Sequence, residues 1–462
     1  MNGPTDRRGA ATTTTPAADN EAVPTAPLPI EPPLGTAPPG RRLPRGLNAF
    51  RHRNFRLFWG GQLVSLTGTW MQQVAQAWLV LELTGDPLAL GIVAAAQFTP
   101  VLVLGLFAGL VADAVSKRAL LVMTQVAAAA LALVLGLLVL TGSAEPWHVY
   151  LIALVLGVVN AFDMPTRQSF VVEMVGREDV ANAIALNAAV FNGSRILGPA
   201  VAGILIALIG TGPLFLVNAL TYQAVVISLL LMRPAELVLP TVRAVVQRNF
   251  RSVVDRLSEG LRYVAATPTI MLPIAVLGVV ATFALNFQVL APVYSRDVLG
   301  GGSDTFGFLM ASLGVGSLSG ALLIAFGRRP SMTLLLAGVV SIGLAAIGLS
   351  ITAWLPIAVV LMFFSGWGMI SMAATTNTTI QLAVPDILRG RVMSVYTTVF
   401  AGTVPLGGLF AGSLAAAYGA QTALAVGGLV ALATVGFIVA RGSVRRSEQG
   451  VAASGSERAR ST

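Results

Sequence analysis

Twelve stretches of this chain hold almost nothing but apolar residues for about 20 positions, long enough to cross a bilayer as a helix. They are predicted at 57–81, 89–112, 119–141, 147–168, 182–209, 213–232, 269–294, 306–326, 331–352, 355–380, 393–417 and 420–440. Membrane strands would alternate apolar and polar positions over about ten residues. That period is absent, so the expected fold class is an all-α integral membrane protein. The first span breaks the apolar pattern on one side. Gln62, Ser65, Thr69, Gln72, Gln73 and Gln76 recur every three or four positions, which places them on one stripe of a helix. Facing lipid, such a stripe would be costly, so it is expected to face the bundle or a cavity.

The connections between spans alternate in charge. One set carries Arg51, Arg53, Arg56, Lys117, Arg118, Arg167, Arg177, Arg328, Arg329, Arg389, Arg391, Arg441, Arg445 and Arg446, together with the long 233–268 segment. The other set carries Glu82, Asp86, Glu145, Asp297 and Asp304, with Arg296 as its one base. Of the 29 basic residues, all but Arg195 and Arg296 fall on the first side or in the tails. The positive-inside rule then puts both termini in the cytoplasm, which needs an even number of spans. Within 233–268, Phe250, Val253, Val254, Leu257, Leu261 and Val264 recur at helical spacing opposite a charged face. This predicts an amphipathic helix, lying either on the membrane surface or on the protein itself.

The segment divides the spans six and six, and the halves echo each other. "GLVADAVSKR" (109–118) and "GALLIAFGRR" (320–329) both end a second span with a glycine and two bases at one spacing. The second copy has Ile324 where the first has Asp113, and Gly327 where the first has Ser116. Gln168 and Gln381 correspond in a second echo after the fourth and tenth spans. Both halves start on the same side, so the repeats are parallel, related by an axis along the membrane normal. The expected organisation is a disordered tail (1–45), a six-helix bundle (46–232), a cytoplasmic linker with its amphipathic helix (233–268), a second bundle (269–440) and a cytoplasmic tail (441–462). The first tail is rich in Pro, Thr and Ala, has too little apolar surface to fold, and lacks the apolar core of a signal peptide.

Composition removes several function classes. The chain is 55% hydrophobic and 11% charged, against about 25% charged in soluble domains. The net charge of +9 sits in short loops and tails, so it reads as topology and not as a nucleic-acid surface. There is no cysteine, and the two histidines, His52 and His148, lie far apart at predicted membrane edges. No metal site, catalytic constellation or cofactor is expected. A phosphate loop needs Gly-Lys-Ser/Thr. The single lysine, Lys117, lies between Ser116 and Arg118, so ATP drive is not expected.

Four stretches in order carry a resemblance: "FRLFWGGQLVSLTGTWMQQVAQAWLVLELTGDPLALG" (55–91), "GLVADAVSKR", "DMPTRQ" (163–168) and "NGSRILGPAVAG" (192–203). The chain from about 50 to 440 resembles the major facilitator superfamily, and its first half resembles the subgroup of the bacterial enterobactin exporter. The resemblance implies secondary active transport by alternating access, as export driven by a proton or sodium gradient. It implies a small-molecule substrate, contact with membrane lipid and a monomer. It also implies a cytoplasmic latch at Gly109, Asp113, Lys117 and Arg118, with Gly109 packed close to a helix of the other half. Ser116 replaces the family's usual turn glycine, where a left-handed backbone is harder to adopt.

Arg195 falls near mid-membrane, where a charge is expensive and functional by default. Two readings stand: a substrate or coupling role, or a structural pairing with Asp163, Asn187 or Asn192. Asp163 either titrates with a coupling proton or pairs with Arg167. Gly198, Pro199 and Gly203 resemble part of the kinked-helix motif of family antiporters, serving gating or packing. In the family, spans 1, 4, 7 and 10 line the cavity. The matching polar positions are Gln62, Gln72, Gln73 and Gln76, then Asn160, Asn286, Gln288, and Asn377 with its neighbouring threonines. Trp70, Trp78, Phe283, Phe287 and Trp367 add aromatic surface. That lining suits a bulky amphiphile such as a siderophore, drug or secondary metabolite. An importer of the same fold and a non-transporting sensor are the alternatives.

Overall fold

The computed structural model describes residues 45–238, 250–326, 331–440 and 442. Nearly all of the two expected tails, and 239–249 of the linker, lie outside them. Helices are set at their ends by local chemistry. Asp86 caps α2 (Pro87–Ala114), accepting from the Leu88 amide at 2.8 Å, with Pro87 at the first turn where its missing N–H costs nothing. Gly85 ends α1 (Arg53–Thr84) at φ 65°, a left-handed cap that a side chain would strain. α3 (Lys117–Leu140) starts on Ser116, α4 (Pro146–Ile209) on a Glu145–His148 capping box, and α5 (Thr211–Leu230) on Gly210.

The first expectation to change is span length. α4 runs 64 residues and breaks only at Gly176 (φ 71°), so the loop expected at 169–181 is mostly helical. Its two arms are antiparallel. Lys117 and Thr124 of α3 meet Glu173 and Asp163, which run the opposite way. Trp59 and Trp70 of α1 meet Leu186 and Gly198, which run the same way. Both α1 and α3 are antiparallel to α5, through Gly61–Ser228 and Gly68–Thr221 on one side and Arg118–Leu229 and Gly136–Leu216 on the other.

After the amphipathic α6 (Phe250–Ala266), the expected seventh span splits into α7 (Pro268–Ala284) and α8 (Phe287–Asp297), parted at Leu285 and Asn286. α9 (Ser303–Phe326), α10 (Met332–Ile351), α11 (Leu355–Ala383) and α12 (Asp386–Ala440) complete the second half, and α12 breaks at Gly419 (φ 85°) as α4 does at Gly176. Nine helical segments among the described residues are long and apolar enough to cross a membrane. Two of them carry two crossings each, and the polar-striped α1 adds one, in agreement with twelve.

α6 packs on the second half. Val264 is buried among Ile270, Ile274 and Val395, Gly260 lies against the Arg391 carbonyl, and Glu259 pairs with Arg391. Of the two places expected for this helix, its described residues take the one on the protein, leaving Leu261 exposed.

The termini of α1, α3, α5 and α12 at or beside which the bases lie mark one face, called here the basic face. The Gly85, Gly210 and Gly419 ends mark the acidic face.

Candidate functional site

The two halves touch closely near the acidic face and separate toward the basic one. A Cβ built on Gly203 of α4 would lie 2.9 Å from Gly307 Cα of α9, and one on Gly412 of α12 would lie 2.9 Å from the Pro87 carbonyl oxygen. Gly91 and Gly408 are in similar backbone contact. Only glycine permits such approach between membrane helices. Farther along, a Cβ on Gly402 would find Leu102 at 3.8 Å, and one on Gly109 would find nothing within 4 Å.

Gly109 makes no close approach to a helix of the other half in this structure. The Asp113 side chain lies outside those described. Lys117 and Arg118 turn inward to their own half. Lys117 Nζ reaches Glu173 at 2.5 Å with both side chains largely buried, and Arg118 Nε donates to the Leu229 carbonyl at 2.7 Å. Ser116 explains its own departure. It sits at φ −63° and its hydroxyl accepts from the Ala119 amide, so it caps α3 and no left-handed backbone is needed there. Residues 327–330 of the second copy lie outside the described ones, while Gly320 packs on Ile370 and Trp367 of its own half.

Between the halves lies a cavity walled by α1, α2, α4, α8 and α9. Trp70, Gln73, Gln76, Pro199 and Gln288 line it. Gln288 Nε2 donates to Gln73 Oε1 at 3.3 Å across the two halves. Gln76 is 4% exposed, and its Nε2 has no hydrogen-bond partner. Gln97, Phe98, Phe306 and Met310 also line the cavity. They were not singled out from sequence: Gln97 stands in a span whose other polar residue is Thr99, too few to make a stripe, and the two phenylalanines sit among many.

Other stripe residues serve packing. Gln72 accepts from buried Asn218 at 2.6 Å, a bond that Gly68 makes room for. Gln62 is buried near the basic side of α1 with an unpartnered Nε2. Asn286 donates to the Thr282 carbonyl beside Gly407 and occupies the break between α7 and α8. Asn377 accepts from Gln381, and Asn160 is half-buried. Trp78 stacks on Phe306 and donates to Glu82, Phe283 packs on Phe410, and Phe287 is buried.

Asp163 and Arg195 are not brought together. Asp163 accepts four hydrogen bonds, from Thr124 (2.7 Å), Gln125 (2.8 Å) and two nitrogens of Arg167 (2.8 and 2.5 Å). A carboxylate has about four acceptor sites, so these fill it. Asn192 donates to the Ala188 carbonyl. Arg195 instead lies over the Trp70 ring, 5.6 Å from its centroid, and donates to Met369 Sδ of the other half at 3.5 Å. No described carboxylate lies within ion-pair distance of it. An arginine at the bilayer centre costs about 2.5–3.5 kcal/mol on insertion scales and more in simulation. A cation–π contact returns about 0.5–2 kcal/mol, and a thioether accepts weakly. The site therefore holds an undercompensated positive charge.

The expected kink motif acts as a contact surface. Pro199 sits inside a helix whose one non-helical residue is Gly176, so α4 does not break there. A Cβ on Gly198 would lie 2.5 Å from Trp70 Cβ, and Gly203 makes the inter-half contact above.

Residues 45–459 match the family described as transmembrane secretion effector. The chain belongs to the major facilitator superfamily. Among curated members it is 29% identical to the multidrug efflux pump Tap of Mycolicibacterium fortuitum over 77% of this chain and 88% of the relative. It is 25% identical to the staphyloferrin A transporter of Staphylococcus aureus over 81% and 92%. Solved structures share the fold. A nucleoside transporter, NupG, matches at TM-score 0.67 and 12% identity over 86% of this chain and 99% of that one. An inward-facing, unoccupied bacterial homologue of the human lysosomal transporter Spinster matches at TM-score 0.64 and 14% identity, over 89% and 98%. These superfamily members are transporters and not enzymes, and the chain is a multi-pass membrane transporter of a small molecule.

Proposed function

We propose that this transporter exports a bulky amphiphilic small molecule across the cytoplasmic membrane by alternating access, driven by a proton or sodium gradient. The carrying observation is the graded separation of the halves, packed at the acidic face and parted at the basic face, with a glutamine-rich and aromatic cavity between them. On the positive-inside rule the basic face is cytoplasmic, as are both termini, so the cavity is reached from the cytoplasm in this state. The six-helix bundles 46–232 and 269–440 are the bodies that rock, with 233–268 joining them. Two relatives named for efflux and one for a siderophore support export of such molecules. We read the working unit as a monomer in lipid.

Counterflow in proteoliposomes tests transport: a preloaded substrate should accelerate entry of its labelled copy. Absence of exchange for any compound that binds would remove the transporter reading in favour of a sensor. Direction is read in cells. Deletion should raise retention of the exported compound, and lowered uptake would mark an importer.

A further inference from the structure

We propose that the ligand of the inter-half cavity is an amphiphilic anion, with one acidic head, an aromatic or apolar body and a neutral carbonyl acceptor, and not a lipophilic cation. This deepens the transport reading and rests on it. The charge balance of the site carries the argument. Arg195 is half-buried, and its described contacts are the Trp70 ring and the Met369 sulfur. Neither neutralises a cation. Trp70 is also a wall of the cavity, and so is Pro199, one helical turn along from Arg195. The guanidinium is not itself a lining residue but lies directly behind the Trp70 wall, with donors to spare in a plane that matches a carboxylate or another oxyanion reaching past that ring.

The acids that could answer it are elsewhere. None of the residues lining the cavity is acidic. Asp163 is filled by Thr124, Gln125 and Arg167, and Glu173 is held by Lys117. A cationic drug entering here would meet an unanswered positive charge and no described carboxylate, in surroundings of low dielectric. An anionic head would complete the site. The second independent feature is Gln76, whose buried amide nitrogen lacks an acceptor. An unmet buried donor is costly, and a ligand carbonyl oxygen would meet it.

The test uses the full-length protein in detergent and three probes on one naphthyl body, bearing a carboxylate, a carboxamide or an ammonium group. The carboxylate should bind about tenfold more tightly than the ammonium, with the carboxamide between them and the preference shrinking as salt rises. Arg195→Gln should compress the three affinities to within about twofold, and Arg195→Lys should restore the preference for the anion. Gln76→Met should weaken carboxylate and carboxamide alike, while carboxylate still binds better than ammonium. Equal or tighter binding of the ammonium probe, an Arg195→Gln variant that keeps the full preference, or binding of none of the three would overturn the assignment. Counterflow of the carboxylate probe separates this from the transport reading. Binding with charge preference but no exchange would leave the ligand class standing and remove transport. Exchange without charge preference would do the reverse.

Discussion

The two faces of the molecule spend their polar contacts differently. At the acidic face some of the contacts cross between halves. Arg296 of α8 donates to the Leu81 and Gly85 carbonyls at the end of α1, at 3.3 and 3.2 Å, and Gly203 meets Gly307 backbone to backbone. The cation also sits where the α1 dipole is negative. At the basic face the contacts stay within a half. Lys117 binds Glu173, Arg118 binds the α5 carbonyls, Arg51 and His52 bind Asp179, and Arg391 binds Glu259. One face is therefore fastened across the seam, while the other stiffens each half on its own. Bases concentrated on one face need not hold that face shut.

The strongest way to break this comparison is Lys117→Ala. It leaves Glu173 buried and unpaired, which costs about 3–5 kcal/mol. Thermal unfolding in detergent should show that loss, while spin-label distances across the acidic face stay unchanged. A shift in those distances would mean that the pair acts between halves. Next comes Gly203→Leu, which drives a side chain into Gly307 and Ser303 backbone. Overpacking of about 1–3 kcal/mol should move the acidic face toward opening by a factor of roughly 5 to 150, read as new cysteine accessibility beside Thr211. Unchanged accessibility would remove the seam from that contact.

Arg296→Gln should move the same equilibrium in the same direction by less. Its partly exposed bonds are worth about 0.2–1 kcal/mol, a few-fold change in accessibility. The smallest effect on this state is expected for Gly109→Ala, where a Cβ meets open space. Helix propensity alone should raise stability by up to about 1 kcal/mol. Transport should nevertheless fall if Gly109 approaches the other half when the basic face closes. Unaltered counterflow would sink that part of the expected latch.

The fold was legible because a bilayer leaves few choices. Runs of about 20 apolar residues, basic loops on one side and paired glycine motifs point to one architecture. What escaped was how helices end. Nothing in the composition near 169–181 says that charged residues there continue α4 until Gly176, since Glu173 and Asp179 are satisfied by Lys117, Arg51 and His52 from distant parts of the chain. The site was half legible for the same reason. A polar stripe shows that Gln72 and Gln76 avoid lipid. It does not show that Gln72 meets Asn218 while Gln76 meets the cavity. Asp113 and Gly109 share a conspicuous motif, yet motif spacing carries no information about which conformational state is populated. Ser116 looked like a defect in that motif and is a helix cap.

The glycine contacts near the acidic face have a mechanical consequence. Gly91 lies 18 positions from Gly109 along α2, a lever arm of about 27 Å at about 1.5 Å per residue. With its fulcrum at Gly91 and Gly408, a tilt of about 10° would sweep the Gly109 end through roughly 5 Å on that arm. If the halves rock as proposed, contacts without side chains would let them roll with few rotamers to rearrange, so a displacement of about an ångström near the fulcrum would be geared up several-fold at the far end of the helix.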